Sequence, residues 1–167
     1  MLSTFRRALG TSLVGVLIVL VSPFATRSVE AGSCWSWSST EQKLARLTNG
    51  ARTGRGLSRL SLDPELSKVA DVHSKEMARR GRLYHTPSST LQRRVTRWRR
   101  LGENVGYGAD VRQIHRGFMR SYSHRANILS RRFSHFGVGI RSAGGYKWAT
   151  IVFATSSNPG TTLNMPC

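Results

Sequence analysis

Cysteine, acid and lysine are all scarce in this 167-residue chain, and each scarcity closes a route. The two cysteines, Cys34 and Cys167, are too few for a disulfide-dense scaffold or a four-thiolate zinc site. Eight acidic residues stand against 26 basic ones, a formal charge of +18, and Asp110 is the last acid in the chain. Only four of the bases are Lys, and the other 22 are Arg. A GC-rich coding sequence produces such a bias without selection for nucleic-acid binding. There is no Gly-x-Ser-x-Gly elbow and no His-Glu-x-x-His helix, so two common hydrolase signatures are missing. No internal repeat is visible. What is present, 39% hydrophobic residues with four Trp and six Phe, suffices for a core, and the length suits one domain.

The one long apolar run lies at the N-terminus. Arg6 and Arg7 precede a charge-free stretch over residues 8–26 whose apolar centre is residues 13–21. Ser22-Pro23 ends it, and Val29-Glu30-Ala31 places small residues at the −3 and −1 positions of a cleavage site. Residues 1–31 are therefore read as a secretory signal peptide. The alternative is an uncleaved anchor, but the apolar centre is shorter than the ~20 residues a membrane span needs. No transmembrane segment is expected after cleavage. Loss of residues 1–31 removes three Arg and one Glu, leaving 136 residues with a formal charge of +16. Cys34 and Cys167 then stand near the two ends of an exported chain. A bridge between them is expected, since domain termini often lie close together, with two unpaired thiols as the alternative.

Helices come first and strands last. Ser38-Ser39-Thr40-Glu41 opens a helix with Leu44, Leu47, Thr48 and Ala51 on its apolar face, and Gly54 and Gly56 end it. Residues 57–62 alternate like a short strand. Asp63-Pro64-Glu65 combines a capping Asp, a first-turn Pro and an acid at the positive dipole end. Leu66, Val69, Ala70, His73 and Met77 follow at helical spacing up to Gly81. A third helix after Ser88-Ser89 is predicted to carry Leu91, Val95 and Trp98 on one face, with Arg93, Arg94, Arg97, Arg99 and Arg100 around the rest. A fourth begins at Asp110, with Val111, Ile114, Phe118 and Tyr122 facing inward. Phe136, Val138 and Ile140 alternate, residues 142–145 turn, and residues 146–154 run back. Helices flanking a small antiparallel sheet predict an α+β fold.

Six segments now matter for their order: residues 57–62 followed by Asp63-Pro64-Glu65-Leu66, then Tyr84-His85-Thr86, Gly102-Glu103-Asn104-Val105, His124-Arg125-Ala126-Asn127-Ile128-Leu129, Phe136-Gly137-Val138-Gly139, and Trp148 through Phe153. The succession resembles the CAP superfamily of cysteine-rich secretory proteins, antigen 5 and plant pathogenesis-related proteins, in its compact bacterial branch. The resemblance covers residues 44–154 and implies an α-β-α sandwich. It divides the chain into a signal peptide (1–31), an extension (32–43), a CAP (SCP-like) domain (44–155) and a tail (156–167). In this family a cleft gathers two histidines and acids, and in several members the histidines hold a divalent metal such as zinc. Carried over motif by motif, the histidines are His85 and His124, and the first acid is Glu103. Neutral imidazoles are good zinc ligands and a carboxylate can orient one. With two strong ligands only, zinc or another divalent cation is expected to bind weakly.

Three departures stand out. Ser123 replaces a usual Gly, Phe118 stands where Trp is common, and no second cleft acid exists, Ser121 falling about where it would be. His73 reads as a core histidine, His115 and His135 as surface or framework, and Asn127 as a backbone hydrogen-bonder. The function expected is an extracellular or envelope-associated binding module for an anionic cell-envelope polymer, a lipid or a glycan. A metal-dependent, protease-like hydrolase using His85, Glu103 and His124 is the alternative. Export argues against a specific nucleic-acid partner. The Arg cluster predicts salt-sensitive adhesion to polyanions.

Overall fold

The structure, a computed structural model, describes residues 35–156. The predicted signal peptide lies outside the described residues, as do residues 32–34 of the extension and 157–167 of the tail. The elements are α1 (Ser39–Thr53), β1 (Ser61–Leu62), α2 (Pro64–Arg80), α3 (Ser88–Arg94), β2 (Trp98–Gly108), α4 (Val111–Arg120), α5 (Tyr122–Leu129), β3 (His135–Ala143) and β4 (Tyr146–Ser156). The strands form one sheet in the order β1-β3-β4-β2. The long pairs are antiparallel, while the two-residue β1 joins β3 in parallel. Helices cover both faces, which is the α-β-α sandwich expected.

Local chemistry starts the first two helices. Ser38 Oγ accepts from the Glu41 amide while Glu41 Oε2 accepts from the Ser38 amide, a capping box. Asp63 Oδ1 accepts from the Leu66 amide at 3.0 Å, Pro64 takes the first helical position, and Gly81 closes α2 in the left-handed conformation at φ 58°. The two faces of the sheet bury different sets. Phe136, Val138, Ile140, Ile151 and Phe153 pack against Leu44, Ile114, Phe118 and Ile128 from α1, α4 and α5. Val152 and Ala154 pack on the other side against Leu66, Val69, Ala70, Leu91 and Val95. Gly137 and Gly139 explain how α2 lies so close. A Cβ on Gly137 would sit 2.1 Å from the Ser67 nitrogen, and one on Gly139 would sit 2.1 Å from the Asp71 nitrogen. Backbone meets backbone there, and only glycine fits.

Three expectations need correction. The third helix stops at Arg94: Val95 is extended, Arg97 takes a positive φ of 51°, and Trp98 opens a strand. β2 pairs with β4 from Trp98 to Gly108, and that ladder overrides a local helical preference. The Arg cluster is thereby divided, Arg93 and Arg94 on α3 and Arg99 and Arg100 on β2. The helix from Asp110 breaks at Ser121 (ψ 128°), so Tyr122 is 82% exposed and does not face inward. Finally, the expected Cys34–Cys167 bridge is withdrawn; both cysteines lie outside the described residues.

Candidate functional site

His85 comes from the loop between α2 and α3, Glu103 from the middle of β2, and His124 from the first turn of α5. The Thr86 amide donates to Glu103 Oε1 at 2.9 Å, and His85 Nδ1 donates to the same oxygen at 2.8 Å. One carboxylate oxygen thus ties the loop to the sheet and sets the ring's tautomer, leaving Nε2 with its lone pair. The Glu103 side chain is only 6% exposed, whereas that of His85 is 57% exposed. Glu103 Oε2 is buried with no hydrogen-bond partner. The His85 and His124 ring centroids are 6.3 Å apart. Phe118, the departure from Trp, meets the His124 ring edge-on at 5.1 Å and fills the space above Gly106. Burial, and then the neighbouring His85, hold His124 below the ordinary histidine range.

Two asparagines place α5 against β2, and their motifs alone give no hint of it. Asn104 Nδ2 donates to the His124 carbonyl at 2.9 Å. Asn127 Nδ2 donates to Asn104 Oδ1 at 2.9 Å and to the Glu103 carbonyl at 3.2 Å. The sequence shows only that such amides must satisfy their donors somewhere, and the fold decides where. Asn127 is a hydrogen-bonder, with one backbone and one side-chain acceptor. Ser121, at the place of the second acid, contacts Ser123 Oγ at 3.3 Å and supplies no charge. His73 is fully buried with Nε2 donating to the Tyr84 carbonyl at 2.7 Å, a core role. His135 is buried beside Ser134, and His115 is half-buried outside the cleft.

The side chains here that could ligate a metal are the imidazoles of His85 and His124. Two imidazoles on one tetrahedral zinc bring their centroids to about 5 Å, taking Zn–N as about 2 Å. The observed 6.3 Å is longer, so ligation requires the two rings to draw together. No group of three or more His, Cys, Asp or Glu is arranged to hold an ion among the described residues. Each histidine lines a groove of its own, with the two rings 6.3 Å apart. One, of about 460 Å³, is lined by His85, Glu103, Leu91, Trp98 and Arg100 among others. The other, of about 730 Å³, includes His124, Phe118, Tyr107, Leu83 and Arg120.

Residues 45–154 match the family model of the CAP cysteine-rich secretory proteins, and the chain belongs to that family. It is 32% identical to the uncharacterized protein YkwD of Bacillus subtilis (strain 168) over 116 residues, which is 65% of this chain and 45% of YkwD. An extracellular SCP-domain protein of Bacillus anthracis str. Ames superposes with a TM-score of 0.63 at 29% identity, covering 70% of this chain and 40% of that one. An outer surface protein of Borrelia burgdorferi shares the fold with a TM-score of 0.64 at 16% identity, covering 70% of this chain and 92% of its own. The match thus spans less than half of the length of the two Bacillus relatives. The family and the two Bacillus relatives support a secreted, bacterial localisation. No helix among the described residues is long and apolar enough to cross a membrane.

Proposed function

We propose that this CAP domain is an extracellular binding module that docks envelope material along its cleft and holds a divalent cation weakly between His85 and His124. One observation carries the reading. Glu103 fixes His85 through Nδ1 while His124 stands 6.3 Å away, so two imidazoles converge with only one acid beside them. When bound, zinc would supply a positive charge and open coordination sites for a ligand oxygen. The chain's own residues do the rest: Glu103 orients His85, and the Asn104–Asn127 pair anchors the backbone that carries His124. Burial holds His124 below the ordinary histidine range and so keeps it neutral, which favours ligation.

A hydrolase is the second reading, favoured by the unpartnered, buried Glu103 Oε2, which could take a proton beside a substrate. Against it stands the lack of a second acid, since Ser121 cannot act in its place. Zinc titration by calorimetry of the wild type, His85→Ala and His124→Ala tests the metal half. Weak binding in the wild type and loss in both variants is expected; three equal isotherms would remove the site. Metal-dependent cleavage of a peptide or ester library, abolished in Glu103→Gln, would replace the binding-module reading with the enzyme.

A further inference from the structure

We propose, building on the binding-module reading, that the two grooves form one track for an extended anionic polysaccharide, gripped by guanidinium groups at both ends and crossing the histidine pair. In the smaller groove Arg99 and Arg100 follow Trp98 along β2. In the larger, Arg116 and Arg120 of α4 stand with Tyr107. All four arginines are exposed and none makes a salt bridge among the described residues, while the charge of Arg116 helps to hold the Asp110 carboxyl below its ordinary range. Glu103 is the single carboxylate lining either groove, and its Oε1 is already engaged by His85 and Thr86. The track is therefore cationic at two separate stations with almost nothing to repel an anion between them.

Charge of one sign at spaced stations recruits a polymer with repeated anions, and Arg binds carboxylate, sulfate or phosphate through a two-pronged fork. Each station also presents a ring that is fixed yet accessible. Trp98 is 36% exposed and its Nε1 donates to the Gln92 carbonyl at 3.2 Å. Tyr107 is 52% exposed and stacks on Trp148 with centroids 5.0 Å apart. A pre-set aromatic face can cover the apolar face of a sugar ring at little entropic cost, while the adjacent guanidiniums take its anion. Ring plus guanidinium occurs at both stations, and a chain of acidic sugars offers that same pair of features in every unit. Nucleic-acid bases stack on such rings too, and the test must include them.

Fluorescence anisotropy with end-labelled oligogalacturonates of increasing length, using the full secreted chain, decides the matter. Affinity should rise at least about tenfold from the dimer to a length that reaches both stations, and then level off. Arg99→Ser with Arg100→Ser, and separately Arg116→Ser with Arg120→Ser, should each return the long oligomer to within about twofold of the dimer's affinity. Lys at the same four positions should restore most of the gain. Affinity independent of length, or loss confined to one Arg pair, overturns the track while leaving the binding module standing. Tighter binding of a single-stranded oligodeoxynucleotide of equal charge overturns the glycan assignment. Failure to bind oligogalacturonate of any length brings down the track and, with it, the acidic-glycan form of the binding module; the zinc titration remains an independent measure of the histidine pair.

Discussion

Glu103 Oε1 accepts from the Thr86 amide and from His85 Nδ1, so a single buried oxygen determines both where the loop sits and which ring nitrogen is free. Glutamine keeps an acceptor for the amide but gives up the charge that strengthens the imidazole as a ligand. Glu103→Gln should therefore fold normally and lose about tenfold to a hundredfold in zinc affinity. Calorimetry, with the His85 ring-proton signal in NMR as a check on orientation, would test this. Unchanged affinity would show that Glu103 only secures the loop. His85, Glu103 and His124 were legible from the order of their motifs. The asparagine pair was not, because the partners of Asn104 and Asn127 are known only once α5 lies on β2.

Strand β3 and helix α4 make opposite predictions for the same substitution. Gly139 faces the α2 backbone with no room for a methyl group, and backbone cannot swing aside as a side chain does. Gly139→Ala should destabilise the fold by about 3 kcal/mol or more. Gly117 lies in α4, where a Cβ would meet nothing within 4 Å, so Gly117→Ala should stabilise by about 0.5–1 kcal/mol. Urea denaturation measures both; a loss at Gly117 or a neutral result at Gly139 would contradict this packing. The strand β2 hid behind its own glycines. Gly102, Gly106 and Gly108 interrupt any apolar alternation, yet the space above the first two is filled by the rings of Phe133 and Phe118.

Across the whole molecule, stability is coupled to pH through two histidines. His115 is held below the ordinary histidine range by burial, and His124 by burial and then by His85. The unfolded chain binds those protons more readily, so their contribution is complete above the ordinary value near ~6.5. It is lost as pH falls through the lowered folded values. Melting temperature should accordingly decline on the acid side of that range, and His115→Gln with His124→Gln should flatten the decline. Scanning calorimetry across the range tests it: an unaltered slope in the double variant would assign the effect to general charge repulsion instead.

What could be read from the residues alone was local or ordinal. The Ser38–Glu41 box, Asp63-Pro64 and Gly81 each act within a few positions, so their signals survive in a one-dimensional chain. The want of any acid after Asp110 and the succession of motifs were equally plain. Packing decided the remainder. Residues 95–100 leave the expected helix because β4, far along the chain, offers β2 a full ladder of backbone partners. The helix from Asp110 breaks at Ser121, and α5 then carries His124 to His85 under the hold of Asn104 and Asn127. A cap depends on its nearest neighbours, whereas a ladder or a two-histidine cleft depends on residues that only the closed fold brings within reach.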